Sequence, residues 1–202
     1  MSVRDEVVAD QADSDVRAAL TRTLRQLESA KASKAELVEA VYRASHDAAV
    51  GFAYAPVPPP VKRKVGRNAE VAVAMLGDWQ LGKITPDYNS EVCEDRIRQF
   101  GSKVIELTAI QRADHPVNEL HVWLLGDLCE GELVFPGQAH RIDGGLYRQV
   151  VLNGPRILSD FLRRMLTEYS TVVVYGVPGN HGAIGGPFRK EMAPDTNADR
   201  ML

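Results

Sequence analysis

The chain has 202 residues, of which 45% are hydrophobic and 25% charged, as in ordinary soluble globular proteins. Its net charge of -3 provides no overall positive field that would draw it to nucleic acid. The amino terminus lacks the apolar core of a signal peptide, and no apolar run approaches the ~20 residues that cross a bilayer. We therefore expect a cytoplasmic protein, not bound to a membrane, in which Cys93 and Cys129 stay reduced.

Residues 1–55 are predicted to form an N-terminal helical hairpin. Apolar residues recur at helical spacing in the first half, at Val16, Leu20, Leu24 and Leu27. Ser33 and Glu36 have the spacing of a capping box, which marks the start of a second helix. The mixed charge of that second helix argues against a DNA-recognition helix. The hairpin is therefore interpreted as a packing element or a homo-oligomerisation element.

Residues 56–70 are predicted to be a linker. Proline occupies positions 56, 58, 59 and 60, which stiffens the chain in an extended form. A basic cluster follows at Lys62, Arg63, Lys64 and Arg67. This cluster is either a solvated connector or a nucleic-acid contact.

From residue 71 onward the pattern becomes β-α-β-α-β, which predicts an α/β fold with a parallel sheet. The strands are expected at 71–76, 121–125 and 171–175. The helices are expected at 90–112, with Ser90 as the N-cap, and at 147–169. The apolar stripes that should face the core include Ile97 and Leu107 in the first helix and Phe161 and Leu166 in the second.

A polar motif follows each predicted strand: Gly-Asp-Trp-Gln at 77–80, Gly-Asp-Leu-Cys-Glu at 126–130, and Gly-Asn-His-Gly at 179–182. The carboxyl ends of parallel strands meet at one edge of a sheet, and that edge holds the ligand. Four side chains are therefore expected to share one crevice, namely Asp78, Asp127, Asn180 and His181. Two carboxylates, an amide oxygen and an imidazole suit a divalent-metal site for phosphate chemistry.

The order and the residue types of these motifs resemble those of the calcineurin-like metallophosphoesterase superfamily, in particular its nuclease-like or phage-type members. Asp78 matches the family's first Asp, and Asp127 with Glu130 matches its Gly-Asp-x-x-Asp/Glu motif. Asn180 and His181 match its Gly-Asn-His motif. The resemblance implies that residues 71–202 form the β-α-β-α-β half of a metallophosphoesterase sandwich.

The family's last two motifs, a lone His and Gly-His-x-His, have no counterpart because no His follows His181. Three explanations are open: the chain is a fragment of a longer protein, a partner chain supplies the rest, or the site is degenerate. We expect a fragment. Its sheet should then have an unpaired edge or an uncovered apolar face.

The resemblance also implies a role for each candidate residue. Asp78 would bind the first of two divalent ions, Asp127 would bridge both ions, and Asn180 would bind the second. His181 would protonate the leaving oxygen or orient the phosphate. Gln80 stands where the family usually has His, and its amide oxygen favours Mn2+ or Mg2+ over Zn2+. Mn2+ is therefore the expected ion, with Mg2+, Fe and Zn2+ as alternatives.

Residues around the motifs have two interpretations each. Glu130 is either an acceptor that orients a ligand or a solvated loop residue. Trp79 is either a stacking platform for a base or a side chain half-buried beside the sheet edge. A phosphate-binding role competes with that of a solvated loop residue for Lys83, His140 and Arg141.

The expected function is hydrolysis of a phosphodiester by a metal-activated water, with nucleic acid such as DNA as the first candidate substrate. A nucleotide-diphosphate derivative is the second candidate, which would make the chain a pyrophosphatase. The alternative from a different class is a non-catalytic interaction module with a vestigial metal site. A homo-oligomer would form through the N-terminal helices or the exposed sheet edge.

Overall fold

The computed structural model describes residues 55–61, 66, 68–184 and 196–202, together with scattered positions before residue 51. The chain divides into two compact units, Met1–Tyr42 and Arg43–Leu202. The described positions before residue 51 are all helical, namely Arg25, Glu36, Glu39, Ala40, Tyr42, Arg43, His46, Asp47 and Val50. The predicted hairpin itself, and the basic cluster that follows the prolines, lie outside the described residues.

The second unit contains a three-stranded parallel sheet, which confirms the predicted α/β class. The strands are β1 (Glu70–Leu76), β2 (Val117–Leu124) and β3 (Thr171–Gly176), and they lie in the order β1-β2-β3. The strand β2 begins four residues before the predicted start, because Val117 is buried and pairs with Glu70 at the beginning of β1. The three strands end side by side, with Leu124 paired to both Leu76 and Gly176.

The helix α1 (Ser90–Gln111) follows β1, and α2 (Gly154–Glu168) precedes β3. A π-helical turn at Arg148–Asn153 leads into α2, so the single helix predicted at 147–169 has two parts. A short 3-10 turn lies at Gln138–His140, and a one-turn helix, α3, lies at Ala198–Met201. None of the described helices is long and apolar enough to cross a membrane.

The N-cap of α1 is Asn89, not Ser90 as predicted. Asn89 Oδ1 accepts a hydrogen bond of 2.9 Å from the amide of Val92. Ser90 instead donates both its amide and its hydroxyl to the carboxylate of Asp143, each at 2.6 Å. The charge of Asp143 therefore sits at the positive end of α1, where a carboxylate is favourable.

The core lies between one face of the sheet and the two long helices. Alternate strand residues and the inward faces of α1 and α2 fill it, including Leu76, Leu120, Val122, Cys93, Ile97, Ile157, Phe161 and Met165. The predicted inward positions Leu107 and Leu166 are wrong, since these side chains are 61% and 38% exposed. Leu107 lies beside the unpaired edge of β1, in a groove shared with Val71 and Val104, and no further described element covers it.

The opposite face of the sheet is exposed and only partly apolar, because Glu119 and His121 of β2 lie on it beside Val71 and Val73. Val71, Val73 and Met75 alternate along this face of β1, and Trp123 and Tyr175 continue it on the other two strands. Each of these side chains is exposed, Met75 to 60%. Within the described part of the chain the sheet therefore has the expected unpaired edge, together with several exposed apolar side chains on this face.

Candidate functional site

The three predicted motifs lie side by side at the carboxyl edge of the sheet. The segment after β1 continues the parallel pairing with the segment after β2 beyond the ends of the strands. Asp78 N donates to Gly126 O at 3.1 Å, Gln80 N donates to Asp127 O at 2.9 Å, and Leu81 N donates to Leu128 O at 2.9 Å. Two of the candidate ligand segments are therefore joined backbone to backbone.

The segment after β3 joins the same group through the side chain of Asp127. His181 N donates to Asp127 Oδ1 at 2.7 Å. Gly179 is in such close contact that a Cβ there would lie 2.1 Å from the same oxygen. A Cβ at Gly126, which has φ +85°, would lie 2.5 Å from the amide nitrogen of Gly179. The glycines of the second and third motifs are therefore required by close packing of the two segments.

Three candidate ligands have a left-handed backbone that non-glycine residues seldom adopt. The φ angles are +53° at Asp78, +45° at Gln80 and +52° at Asp127. In the described part of the chain, Asn68 is the one other non-glycine residue with positive φ. Each such residue costs on the order of 1–3 kcal/mol and persists only where its surroundings enforce it. The strain is concentrated at the positions that the sequence predicts as ligands.

Glu130 forms a buried pair with His181. The side chain of Glu130 is only 2% exposed, and its Oε2 lies 3.2 Å from His181 Nδ1. This contact is not aligned as a hydrogen bond, and Oε2 has no hydrogen-bond partner within the described residues. Gln138 Nε2 donates to Glu130 O at 2.7 Å and to Oε1 at 3.1 Å, which fixes the carboxylate. The interpretation of Glu130 as a solvated loop residue is therefore wrong.

The imidazole of His181 has further contacts that restrict it. Its Nδ1 lies 3.2 Å from Glu130 O, and the ring of Phe135 meets it edge-on with centroids 6.4 Å apart. A ring held at Nδ1 in this way leaves Nε2 as the nitrogen available for chemistry. His181 itself is partly exposed.

The four candidate ligands differ in how available their oxygens are. Asp78 and Asn180 are exposed, and within residues 68–184 and 196–202 their side chains make no hydrogen bond or ion pair. Asp127 uses Oδ1 to accept from His181, while its Oδ2 has no partner in the same residues. Gln80 Oε1 accepts a short hydrogen bond from the ammonium group of Lys83. Gln80 Oε1 can bind a metal ion only after the ammonium group of Lys83 moves away from it.

The residues of the described ranges contain no group of three His, Cys, Asp or Glu side chains that could hold a metal ion. The predicted set has two such side chains, Asp78 and Asp127, and depends on amide oxygens for the rest. Asp78, Asp127 and Asn180 are oxygen donors, which suit a hard cation such as Mg2+ or Mn2+. The donor atoms of these three residues are of the type that such an ion prefers, whereas Gln80 Oε1 is occupied by Lys83.

The candidate phosphate-binding residues divide into two groups. Lys83 is partly buried and reaches the site through its hydrogen bond to Gln80. Arg141 lies nearby through its backbone, because Ile84 N donates to Arg141 O at 3.1 Å. The side chains of His140 and Arg141 are exposed and make no hydrogen bond or ion pair to a described candidate ligand. Lys83 is therefore the one with a contact that supports a role.

Trp79 is not a stacking platform, because its side chain is only 5% exposed and belongs to the core cluster. The alternative interpretation placed Trp79 half-buried beside the sheet edge, and the side chain is more buried than that. Its indole nitrogen has no hydrogen-bond partner within the described residues.

Asp199 is the polar residue at this edge that the sequence interpretation missed. It lies in α3, and its carboxylate accepts backbone hydrogen bonds from the segments after both β2 and β3. The only local signal was Asn197, whose Oδ1 accepts from Asp199 N at 2.9 Å as a helix N-cap. An Asn-x-Asp sequence of this kind is common at helix starts and does not by itself indicate a distant contact.

Comparison with known proteins identifies no relative. No family model matches the sequence, no curated protein is detectably similar to it, and no solved structure is detectably similar to its fold.

Proposed function

We propose that the chain is a metal-dependent phosphoesterase of the calcineurin-like type that hydrolyses a phosphodiester. The observation that carries this proposal is the joining of the three motifs at one sheet edge. Asp127 lies at its centre, with its backbone bonded to Gln80 and its carboxylate bonded to the amide of His181. Adjacent parallel strands place the segments after them side by side, and the contact of the Asp127 carboxylate with His181 N adds a side-chain link between the second and third motifs.

Divalent ions are the proposed cofactor, with Mn2+ first and Mg2+ second. Asp78, Asp127 and Asn180 would hold them through oxygen atoms. When bound, such ions neutralise phosphate charge and activate water at neutral pH. The chain's own contribution is to bring the segments that carry Asp78, Asp127 and His181 to one edge of the sheet.

His181 is proposed as the general acid that protonates the leaving oxygen. Glu130 holds the ring at Nδ1, so Nε2 can donate a proton to the substrate. A positioned acid of this kind contributes about 10²–10⁴-fold to a rate. Lys83 is proposed to neutralise a phosphate oxygen, for which its ammonium group must leave Gln80.

The proposed substrate class is a phosphodiester, with nucleic acid as the first candidate and a nucleotide-diphosphate derivative as the second. A groove between α1 and α2 is lined by Arg98, Arg163 and Arg164, but Glu94 and Asp160 line it as well, so its mixed charge favours neither substrate. The basic cluster on which the nucleic-acid expectation partly rested lies outside the described residues.

Mn2+ titration of the chain tests the proposal. Binding is measured by calorimetry or by the electron paramagnetic resonance signal of free Mn2+. Asp127→Asn keeps Oδ1 as an acceptor for His181 N but removes the charge, so the variant should fold. We expect its Mn2+ affinity to fall at least tenfold, together with any Mn2+-dependent hydrolysis of bis-p-nitrophenyl phosphate. Asp114→Asn is the matched control, since Asp114 is an exposed acid beyond the opposite end of β2. Equal Mn2+ affinity in all three proteins would overturn the proposal and favour a non-catalytic module.

A further inference from the structure

One carboxylate ties together the two segments that carry Asp127 and His181. Asp199 Oδ2 accepts from Asp127 N and from Gly179 N, both at 2.8 Å. Asp199 Oδ1 accepts from Leu128 N at 3.0 Å and from Cys129 N at 3.1 Å. A carboxylate offers about four lone-pair positions, and four backbone donors occupy them here.

Asn197 strengthens the same connection. Its Nδ2 donates to Gly179 O at 2.8 Å, and Ala198 N donates to Gly182 O at 2.7 Å. The segment 197–199 therefore contacts both sides of the third motif as well as the start of the second. These residues lie 70 positions or more after Asp127 in sequence, so no local turn explains their contact.

Apolar contacts contribute to the anchoring of α3 besides the hydrogen bonds to Asp199. Ala198 and Met201 are buried, and Leu202 packs so closely on Gly154 that a Cβ there would lie 2.1 Å from Leu202 Cδ2. Apolar contacts therefore help to hold the helix in place while the carboxylate acts on the two loops. A variant that loses only the charge should keep α3 docked.

Asp199 acts on Asp127 through its backbone amide. The amide of Asp127 points to Asp199, its φ is +52°, and its Oδ1 accepts from His181 N. A left-handed residue persists only when its surroundings enforce it, and the bonds from 127–129 to Asp199 provide that enforcement.

We propose that Asp199 is a positioning residue that holds Asp127 and His181 in the arrangement needed to bind a divalent ion. This inference rests on the proposed function. Asp199 itself neither binds the ion nor touches substrate, because its carboxylate is already occupied. Residues that orient metal ligands typically change metal affinity 10- to 100-fold when replaced.

The test compares Asp199→Asn with the unaltered chain and with Asp114→Asn. In Asp199→Asn one oxygen still accepts, while the amide group meets backbone donors that it cannot satisfy. Because backbone donors lose a charged acceptor, we expect the thermal unfolding midpoint to fall. Mn2+ affinity, measured where the variant is fully folded, should fall at least tenfold, and hydrogen exchange at amides 127–129 and 179 should become faster than at Tyr169. Asp114→Asn should change none of these three quantities.

The outcomes separate this inference from the proposed function. If the unaltered chain binds no Mn2+, the proposed function falls and the inference falls with it. If the unaltered chain and Asp199→Asn bind Mn2+ equally, Asp127 stays in place without Asp199, and this inference alone is overturned.

A second measurement tests the inference without the Asp199→Asn variant, in case that variant does not fold. In the unaltered chain, Mn2+ should slow hydrogen exchange at amides 127–129 and 179 more than at Tyr169, because linkage between two sites is reciprocal. Uniform slowing, or none at the four amides, would overturn the inference.

Discussion

Replacing Gly179 with alanine should damage the candidate site, because a methyl group has no room there. A Cβ at this position would lie 2.1 Å from Asp127 Oδ1 and 2.3 Å from Asp127 N. Gly176 in β3 is the matched control, since the nearest atom to a Cβ there is Leu124 Cβ at 3.9 Å. Neither glycine has a left-handed backbone, so the two substitutions differ chiefly in the space available.

The expected difference can be worked out from these contacts. Overpacking costs about 1–3 kcal/mol. Displacing Asp127 also breaks the hydrogen bond from His181 N to its carboxylate, and a bond to a charged group contributes about 1.5–3 kcal/mol. Gly179→Ala should therefore lower the free energy of unfolding by about 2.5–6 kcal/mol. Gly176→Ala should change it by less than about 1 kcal/mol, in the stabilising direction, because alanine restricts the unfolded chain.

Urea unfolding followed by circular dichroism measures both free energies. Mn2+ titration at low urea concentration then measures how tightly the folded fraction of Gly179→Ala binds the ion. We expect its binding to be at least tenfold weaker than that of Gly176→Ala. Equal unfolding free energies for the two variants would mean that the second and third motifs are not in close contact. The argument for a shared site would then fail.

Three further predictions concern other parts of the molecule. Gln80→His should raise Zn2+ affinity relative to Mn2+ in metal titrations, because imidazole is the better ligand for Zn2+; unchanged Zn2+ affinity would mean that Gln80 serves only as a partner of Lys83. Burial raises the pKa of the Cys93 and Cys129 thiols. At pH 8 both should therefore react with a thiol reagent such as dithionitrobenzoate only when the chain unfolds. Fast labelling of the native chain would contradict this prediction. The hydrogen bond from Arg156 lowers the pKa of Glu94 below 4.5, so its stabilisation is present above that pH and is lost as the pH falls through the lowered pKa. Glu94→Gln should therefore cost about 0.5 kcal/mol at pH 7 and nothing in strong acid, as measured by urea unfolding at both pH values.

The sheet and its edge could be predicted from the sequence because each strand is apolar and ends at glycine. Strand ends at Leu76, Leu124 and Gly176 differ from the expected ends by no more than one residue. Strand beginnings were harder, since β2 starts at Val117 in a stretch that mixes polar and apolar residues. Pairing with β1, which is a long-range contact, decides that boundary.

The helix faces show where periodicity alone is insufficient. Ile97 and Phe161 occupy the core as expected, whereas Leu107 is exposed because α1 extends along the free edge of β1. Periodicity identifies which side of a helix is apolar. It does not show whether another element lies over that side.

The sequence placed the candidate ligands at the edge of the sheet and missed the residue that connects their segments. Asp78, Asp127 and Asn180 were identified because each follows a strand and stands in a short motif that resembles one of the family's motifs. Asp199 gave no comparable signal, because its partners are backbone amides, and a backbone amide has no residue type that a sequence could reveal. Contacts of this kind become visible only when the chain is folded.

Backbone strain gives the strongest argument between a shared site and independent turns. Asp and Asn enter the left-handed region fairly readily, so Asp78 and Asp127 could each be an ordinary turn residue. Gln80 has no such preference, yet it has φ +45°, and its amide bonds to Asp127. Gln80 therefore carries the clearest strain, about 1–3 kcal/mol against a typical net stability of about 5–15 kcal/mol. A fold that holds Gln80 in this conformation beside Asp127 supports the proposal that this edge performs the chemistry.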